Sequence, residues 1–126
     1  MITIDSCGWL EYYTAGPLAE EYGKYLKDLK QIITPTIIIY EVYKKIKREY
    51  SEAEALTAIG PIHKTRLISL DAQYLIQAAD ISLQYGLPMA DAMVYTVTSM
   101  YGSQIVTSDK HFKGLEMVIY LERSKG

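Results

Sequence analysis

"TIIIYEVYKKIKREY", residues 36–50, decides the fold. Its β-branched start favours a strand. Against that, Ile38, Val42, Ile46 and Tyr50 recur at four-residue steps, and the charges gather at the far end. This recurrence predicts a helix. As a helix it separates two short apolar runs that read as strands, "QIIT" (31–34) and "TRLISL" (65–70). The same alternation holds outward in both directions.

Toward the N-terminus, "MITID" (1–5) reads as a buried strand ending in an acid. "SCGWLEYYTAG" (6–16) follows as a short helix with Ser6 as its cap and Gly16 as its stop. From Pro17 to Lys30, Leu18, Tyr22, Tyr25, Leu26 and Leu29 predict an amphipathic helix with the proline in its first turn. Toward the C-terminus, "SEAEALTAI" (51–59) opens with a Ser51–Glu54 capping box, and Gly60-Pro61 ends or kinks it. Asp71 caps a helix running through Leu75, Ala78, Ala79 and Leu83 to Gly86. "GLPMADAMVYT" (86–96) starts another, expected over 89–101 and closed by Gly102. "QIVTSD" (104–109) is a fourth strand with an acid just past its end. "KHFKGL" (110–115) is a turn or short helix, and "MVIYL" (117–121) a fifth strand. The last residues are polar and expected to be loose. Strands alternating with helices predict a single α/β domain over 1–126, its mainly parallel five-stranded sheet lying between helix layers.

Composition narrows the chemistry. A chain of 126 residues with 49% hydrophobic residues can build one core without disulfides or a structural metal. Cys7 is alone, and only His63 and His111 join it as soft ligands, which speaks against a zinc cluster. A reducing, cytoplasmic setting is expected. The first residues lack the basic and apolar regions of a signal peptide, and no apolar run approaches the ~20 residues that span a membrane. The formal charge of −2 means that any nucleic acid must be held by local patches or through metal ions.

Sites in open parallel sheets form beyond the carboxyl ends of the strands. Asp5 and Asp109 follow the first and fourth strands there. Asp91 opens the helix that leads into the fourth strand, so its end of that helix faces the same edge. Glu41 lies about one turn into its helix among apolar neighbours, at the front end of an element that also follows a strand. Taken singly, Asp5 and Asp109 are caps and Asp91 is a partner of the helix dipole. Glu41 is harder to dismiss, because an acid in an apolar run needs a partner or water. Together they make an oxygen-rich cluster of the kind Mg²⁺ or Mn²⁺ prefers. A cation so held acidifies water and stabilises charge on a phosphate.

"MITIDS", "TPTIIIYEVYKK", "YGLPMADAMVYTVT" and "IVTSDKHFKGL" together resemble the PIN-domain ribonucleases, particularly the VapC toxins of toxin–antitoxin pairs, over nearly the whole chain. The resemblance implies a three-layer α/β/α fold with Asp5, Glu41, Asp91 and Asp109 as an acidic quartet. It implies RNA cleavage dependent on Mg²⁺ or Mn²⁺, a cognate antitoxin and a homodimer. In that scheme Asp5 and Asp91 are the most direct metal ligands, Asp109 completes the shell, and Glu41 acts through water. Ser6 and Thr107 supply hydroxyls that orient carboxylates. Water is the nucleophile, leaving a 5′-phosphate and a 3′-hydroxyl. Cys7 departs from the pattern, which calls for a small polar residue.

Other features carry two readings. Lys44, Lys45, Lys47 and Arg48 form an ordinary solvated helix end or a grip on RNA backbone. His111 reads as a surface histidine that can touch a phosphate, and Glu11 and Asp80 as solvated helix acids. Tyr12, Tyr13, Tyr40 and Tyr43 fit a protein interface better than base stacking. The competing functions are a housekeeping PIN-fold nuclease and a receiver-like signalling domain phosphorylated on Asp71. The receiver reading lacks paired acids after the first strand and a lysine after the fifth.

Overall fold

The computed structural model describes residues 1–123. The expectation of a loose tail concerns the residues beyond them and lies outside the described part. Five strands run parallel: β1 (Ile2–Ile4), β2 (Ile33–Pro35), β3 (Arg66–Ile68), β4 (Gln104–Thr107) and β5 (Val118–Tyr120). The sheet is divided, with β1-β4-β5 as one ladder and β2-β3 as another. A single parallel bridge, Ile2 to Ile32, joins them. The expected five-stranded sheet is thus a 3+2 arrangement in the order β3-β2-β1-β4-β5. The joint is narrow because β1 has three residues before Asp5 turns the chain into a helix.

The deciding stretch is α3 (Ile37–Glu49), and it buries Ile38, Val42 and Ile46 as the four-residue spacing requires. Around it lie α1 (Ser6–Tyr13), α2 (Ala19–Tyr25), α4 (Glu52–Ile59), α5 (Ala72–Tyr85) and α6 (Met89–Met100). Ser51 accepts the Glu54 N–H, and Asp71 accepts the Tyr74 N–H, so both expected caps form. Gly86, at φ 72°, is the left-handed stop of α5.

Helix boundaries differ from the sequence reading: α1 ends at Tyr13 and not at Gly16, and two further differences come from side-chain capping. The cap of α1 is Asp5, whose carboxylate accepts the Ser6 N–H at 2.8 Å, and not Ser6. The helix expected over 17–30 shrinks to α2, because Asp28 accepts the Lys30 N–H and opens a separate 3₁₀ turn, Leu29–Gln31. Local side-chain capping of this kind competes with helix continuation.

Right-handed crossovers between parallel strands put α1 to α4 on one face of this strand order and α5 and α6 on the other. The chain moves outward one way from β1 and the other way from β4. These neighbours therefore form the switch point, where a crevice opens at their carboxyl ends. Ile32 and Ile33 fall into different hydrophobic clusters, as the pleat dictates. The larger cluster holds Ile4, Trp9, Tyr22, Ile38 and Val42, and the smaller one Ile33, Ile68 and Val97. α1 lies so close to Tyr22 that a Cβ at Gly8 would overlap its ring and come within 2.7 Å of Ile4 Cγ2.

Candidate active site

The crevice at the switch point is floored by Asp5, 2% exposed. Asp5 Oδ1 accepts the Ser6 N–H, and Oδ2 accepts the Thr107 hydroxyl at 2.8 Å. Thr107 Oγ1 in turn accepts the Asp109 N–H at 3.0 Å. One hydroxyl thereby ties together the carboxyl ends of β1 and β4. The Cys7 thiol sits 3.6 Å from Asp5 Oδ2 and 3.5 Å from Thr107 Oγ1, where a small polar residue was expected. Burial raises the Asp5 pKa, hydrogen bonds from Thr107 and Ser6 oppose the rise, and the Asp109 charge adds to it.

Asp91, 9% exposed, comes from the first turn of α6, and Asp109 caps the last 3₁₀ turn by accepting the His111 N–H at 2.9 Å. Burial, then the charges of Asp109 and Asp5, push the Asp91 carboxyl up to about 8. Glu41, in the second turn of α3, is pushed to about 7 by burial and then by Asp5, while the Ser6 hydroxyl works against the shift. Asp109 raises it further. The Asp5 and Asp109 charges act on both Asp91 and Glu41, so the structure brings Asp5, Glu41, Asp91 and Asp109 together on one rim.

His111 joins them. Its Nδ1 lies 2.8 Å from Asp109 Oδ1 and 3.2 Å from Asp91 Oδ2. The sequence reading left it as a surface histidine; the available signal was its place two residues after the strand-end acid. Asp91, Asp109 and His111 can each offer one ligand atom, all within 4.8 Å of one another. Two carboxylate oxygens and an imidazole nitrogen suit a divalent cation. Asp5 does not join that trio, since its oxygens face Ser6 and Thr107.

Glu41, Lys44, Lys45 and Arg48 share one face of α3 and line a concavity of about 270 Å³ with Ser6, Leu10 and Tyr40. A second concavity of about 300 Å³ shares Ser6, Leu10 and Lys45 with it and reaches Cys7, Glu11 and Arg123. Three of the four basic candidates therefore stand beside the acidic rim. Lys47 does not: it lies over the Tyr43 ring and 3.8 Å from Glu52 at the start of α4. Glu11 also departs from expectation. It is 7% exposed, accepts the Leu18 N–H at 2.9 Å and pairs with Arg123 at 2.9 Å, so it pins the α1–α2 turn instead of facing solvent. Asp71 is exposed, caps α5 and follows the edge strand β3, away from the switch point.

A family model described as PIN domain matches residues 2–116. No curated protein sequence matches the chain. Solved structures do. A toxin–antitoxin complex from Klebsiella pneumoniae is 16% identical, with 97% of this chain and 99% of that chain covered and a TM-score of 0.80. VapC20 from Mycobacterium tuberculosis, described as a toxin that cleaves the sarcin–ricin loop, is 16% identical over 90% of this chain and 92% of its own, with a TM-score of 0.74. VapBC2 from Rickettsia felis, bound to a DNA fragment from its promoter, is 15% identical over 98% and 100%, with a TM-score of 0.73.

Proposed function

The chain belongs to the PIN-domain family, and on that footing we propose that it is a divalent-metal-dependent endoribonuclease acting as the toxin of a toxin–antitoxin pair. The observation that carries the reading is the convergence of Asp5, Glu41, Asp91 and Asp109 beyond β1 and β4, with Lys44, Lys45 and Arg48 alongside. When bound at this rim, Mg²⁺ or Mn²⁺ supplies the charge that acidifies a water and offsets charge on the scissile phosphate. Asp91 and Asp109 present the oxygens that hold the ion. Thr107 and Ser6 fix Asp5 at the floor. Glu41 would accept a proton from the attacking water at its carboxylate, and the departing 3′ oxygen would take its proton from solvent. Lys44, Lys45 and Arg48 attract the RNA backbone into the neighbouring groove.

Partners follow from two apolar surfaces. Along α5 and α6, Leu83 is 87% exposed and Met89 71%, beside a groove lined by Leu75, Ala79 and Met93. A largely apolar face of two helices suits a second copy of the chain. On the opposite layer, Trp9, Tyr12, Tyr13, Leu26 and Leu29 line a groove of about 490 Å³. Trp9 is 5% exposed, and its indole N–H has no hydrogen-bond partner among the described residues. A groove walled by aromatic and leucine side chains suits the apolar face of an antitoxin segment. No helix among the described residues is long and apolar enough to cross a membrane, and the setting proposed is cytoplasmic.

The test is cleavage of RNA by protein freed of antitoxin and metal, with Mg²⁺ or Mn²⁺ added back. Cleavage should appear only with the ion and leave 5′-phosphate ends. Asp5→Asn and Asp91→Asn should each lower the rate by at least about 100-fold. Undiminished cleavage or toxicity in both variants would sink the proposal.

A further inference from the structure

His111 brings a ring nitrogen to the two carboxylates of the rim. Nδ1 is within hydrogen-bond distance of both, and a shared ion would displace the proton between them. The separations of His111 Nδ1 from Asp109 Oδ1 and Asp91 Oδ2 are 2.8 and 3.2 Å. The backbone holds the ring in that position. The His111 N–H is bound by the Asp109 carboxylate, and the next residue, Phe112, is wholly buried against the core. The side chain is more than half exposed, which leaves the far ring nitrogen open to water. Metal-bound histidines commonly donate that second N–H to water or an acceptor.

We propose that His111 is a direct nitrogen ligand of the divalent ion, beside Asp91 and Asp109, and that it biases the rim toward first-row transition ions over Mg²⁺. The inference rests on the metal-dependent reading above. Mg²⁺ takes oxygen donors and gives up its waters reluctantly, so an imidazole gains it little. First-row transition ions accept a nitrogen donor more readily than Mg²⁺ does, with affinity rising from Mn²⁺ along the series. An oxygen-only site would favour Mn²⁺ by a smaller factor and would show no nitrogen coupling.

The experiment uses the full chain freed of antitoxin and metal, titrated calorimetrically with MnCl₂ and with MgCl₂. The Mn²⁺ complex is then examined by pulsed electron paramagnetic resonance. The wild type should bind Mn²⁺ more tightly than Mg²⁺ and show nitrogen hyperfine coupling from a bound imidazole. His111→Gln should abolish that coupling and weaken Mn²⁺ binding by at least about tenfold, with a smaller factor for Mg²⁺. Wild-type Mn²⁺ binding without nitrogen coupling, or an unchanged Mn²⁺ to Mg²⁺ affinity ratio in His111→Gln, overturns the inference and leaves the metal-dependent reading intact. A wild type that binds neither ion overturns both. The spectrum of the wild type decides the matter even where the variant folds poorly.

Discussion

Asp91 and Glu41 sit where ionisation is opposed, and the consequence is a dependence of stability on pH. Their ordinary values are 3.8 and 4.5, and in the folded chain they rise to about 8 and about 7. The folded state therefore holds these protons more tightly than the unfolded state. The stabilisation is fully present below the ordinary values and is lost as pH rises through 7 to 8. Metal-free protein should melt at a lower temperature at pH 8.5 than at pH 5.5. Mn²⁺ should reverse the loss, because it supplies the missing positive charge. Asp91→Asn should flatten the profile and raise the metal-free melting temperature at pH 8.5, by about 3–6 °C for each kcal/mol of repulsion removed. A fall in melting temperature would make Asp91 a helix-dipole partner and nothing more. Cys7 illustrates the same physics without a switch: burial and then the Asp5 charge push its thiol up, so it stays protonated and serves Asp5 as a hydroxyl would.

At the scale of elements, α1 carries the most consequence. Asp5 caps it, Gly8 lets it lie on Tyr22, and the Tyr22 hydroxyl donates to Ser108 just past β4. Gly8→Ala sets two effects against each other. Alanine in a helix interior gains about 1 kcal/mol of propensity. Overpacking against a buried ring costs about 1–3 kcal/mol. Tyr22 is wholly buried and anchored at its hydroxyl, so the clash should win, and urea denaturation should show a net loss. A stabilised Gly8→Ala would mean that Tyr22 yields easily. Element types were legible in the chain, since α3 through α6 show clear periodicity and α4 and α5 carry side-chain caps at Ser51 and Asp71. The full extent of the helix expected over 17–30 was not, because α2 ends at Tyr25 and Asp28 accepts the Lys30 N–H to open a separate turn, which periodicity does not encode.

For the whole molecule, the face of α5 and α6 is the surface to test. Leu83→Glu places a charge in the middle of an apolar patch and lies on the opposite layer from the basic groove. If this face joins two copies, light scattering after gel filtration should find a dimer for the wild type and a monomer for Leu83→Glu, with the melting profile retained. A dimer that survives the substitution would move the interface elsewhere.

Local patterns along the chain carried the α/β class, the succession of strands and helices, and the position of four acids at or near strand and helix ends. Hydrophobic period and capping are local properties, and an acid after a strand is visible as such. Only the tertiary structure decided that the sheet divides after a single bridge, that Lys47 leaves the rim for α4, and that Glu11 is buried beneath a turn. It alone placed His111 between Asp91 and Asp109. These are outcomes of packing: which neighbour a side chain meets depends on helices and strands brought together from distant stretches, and no local pattern records that meeting.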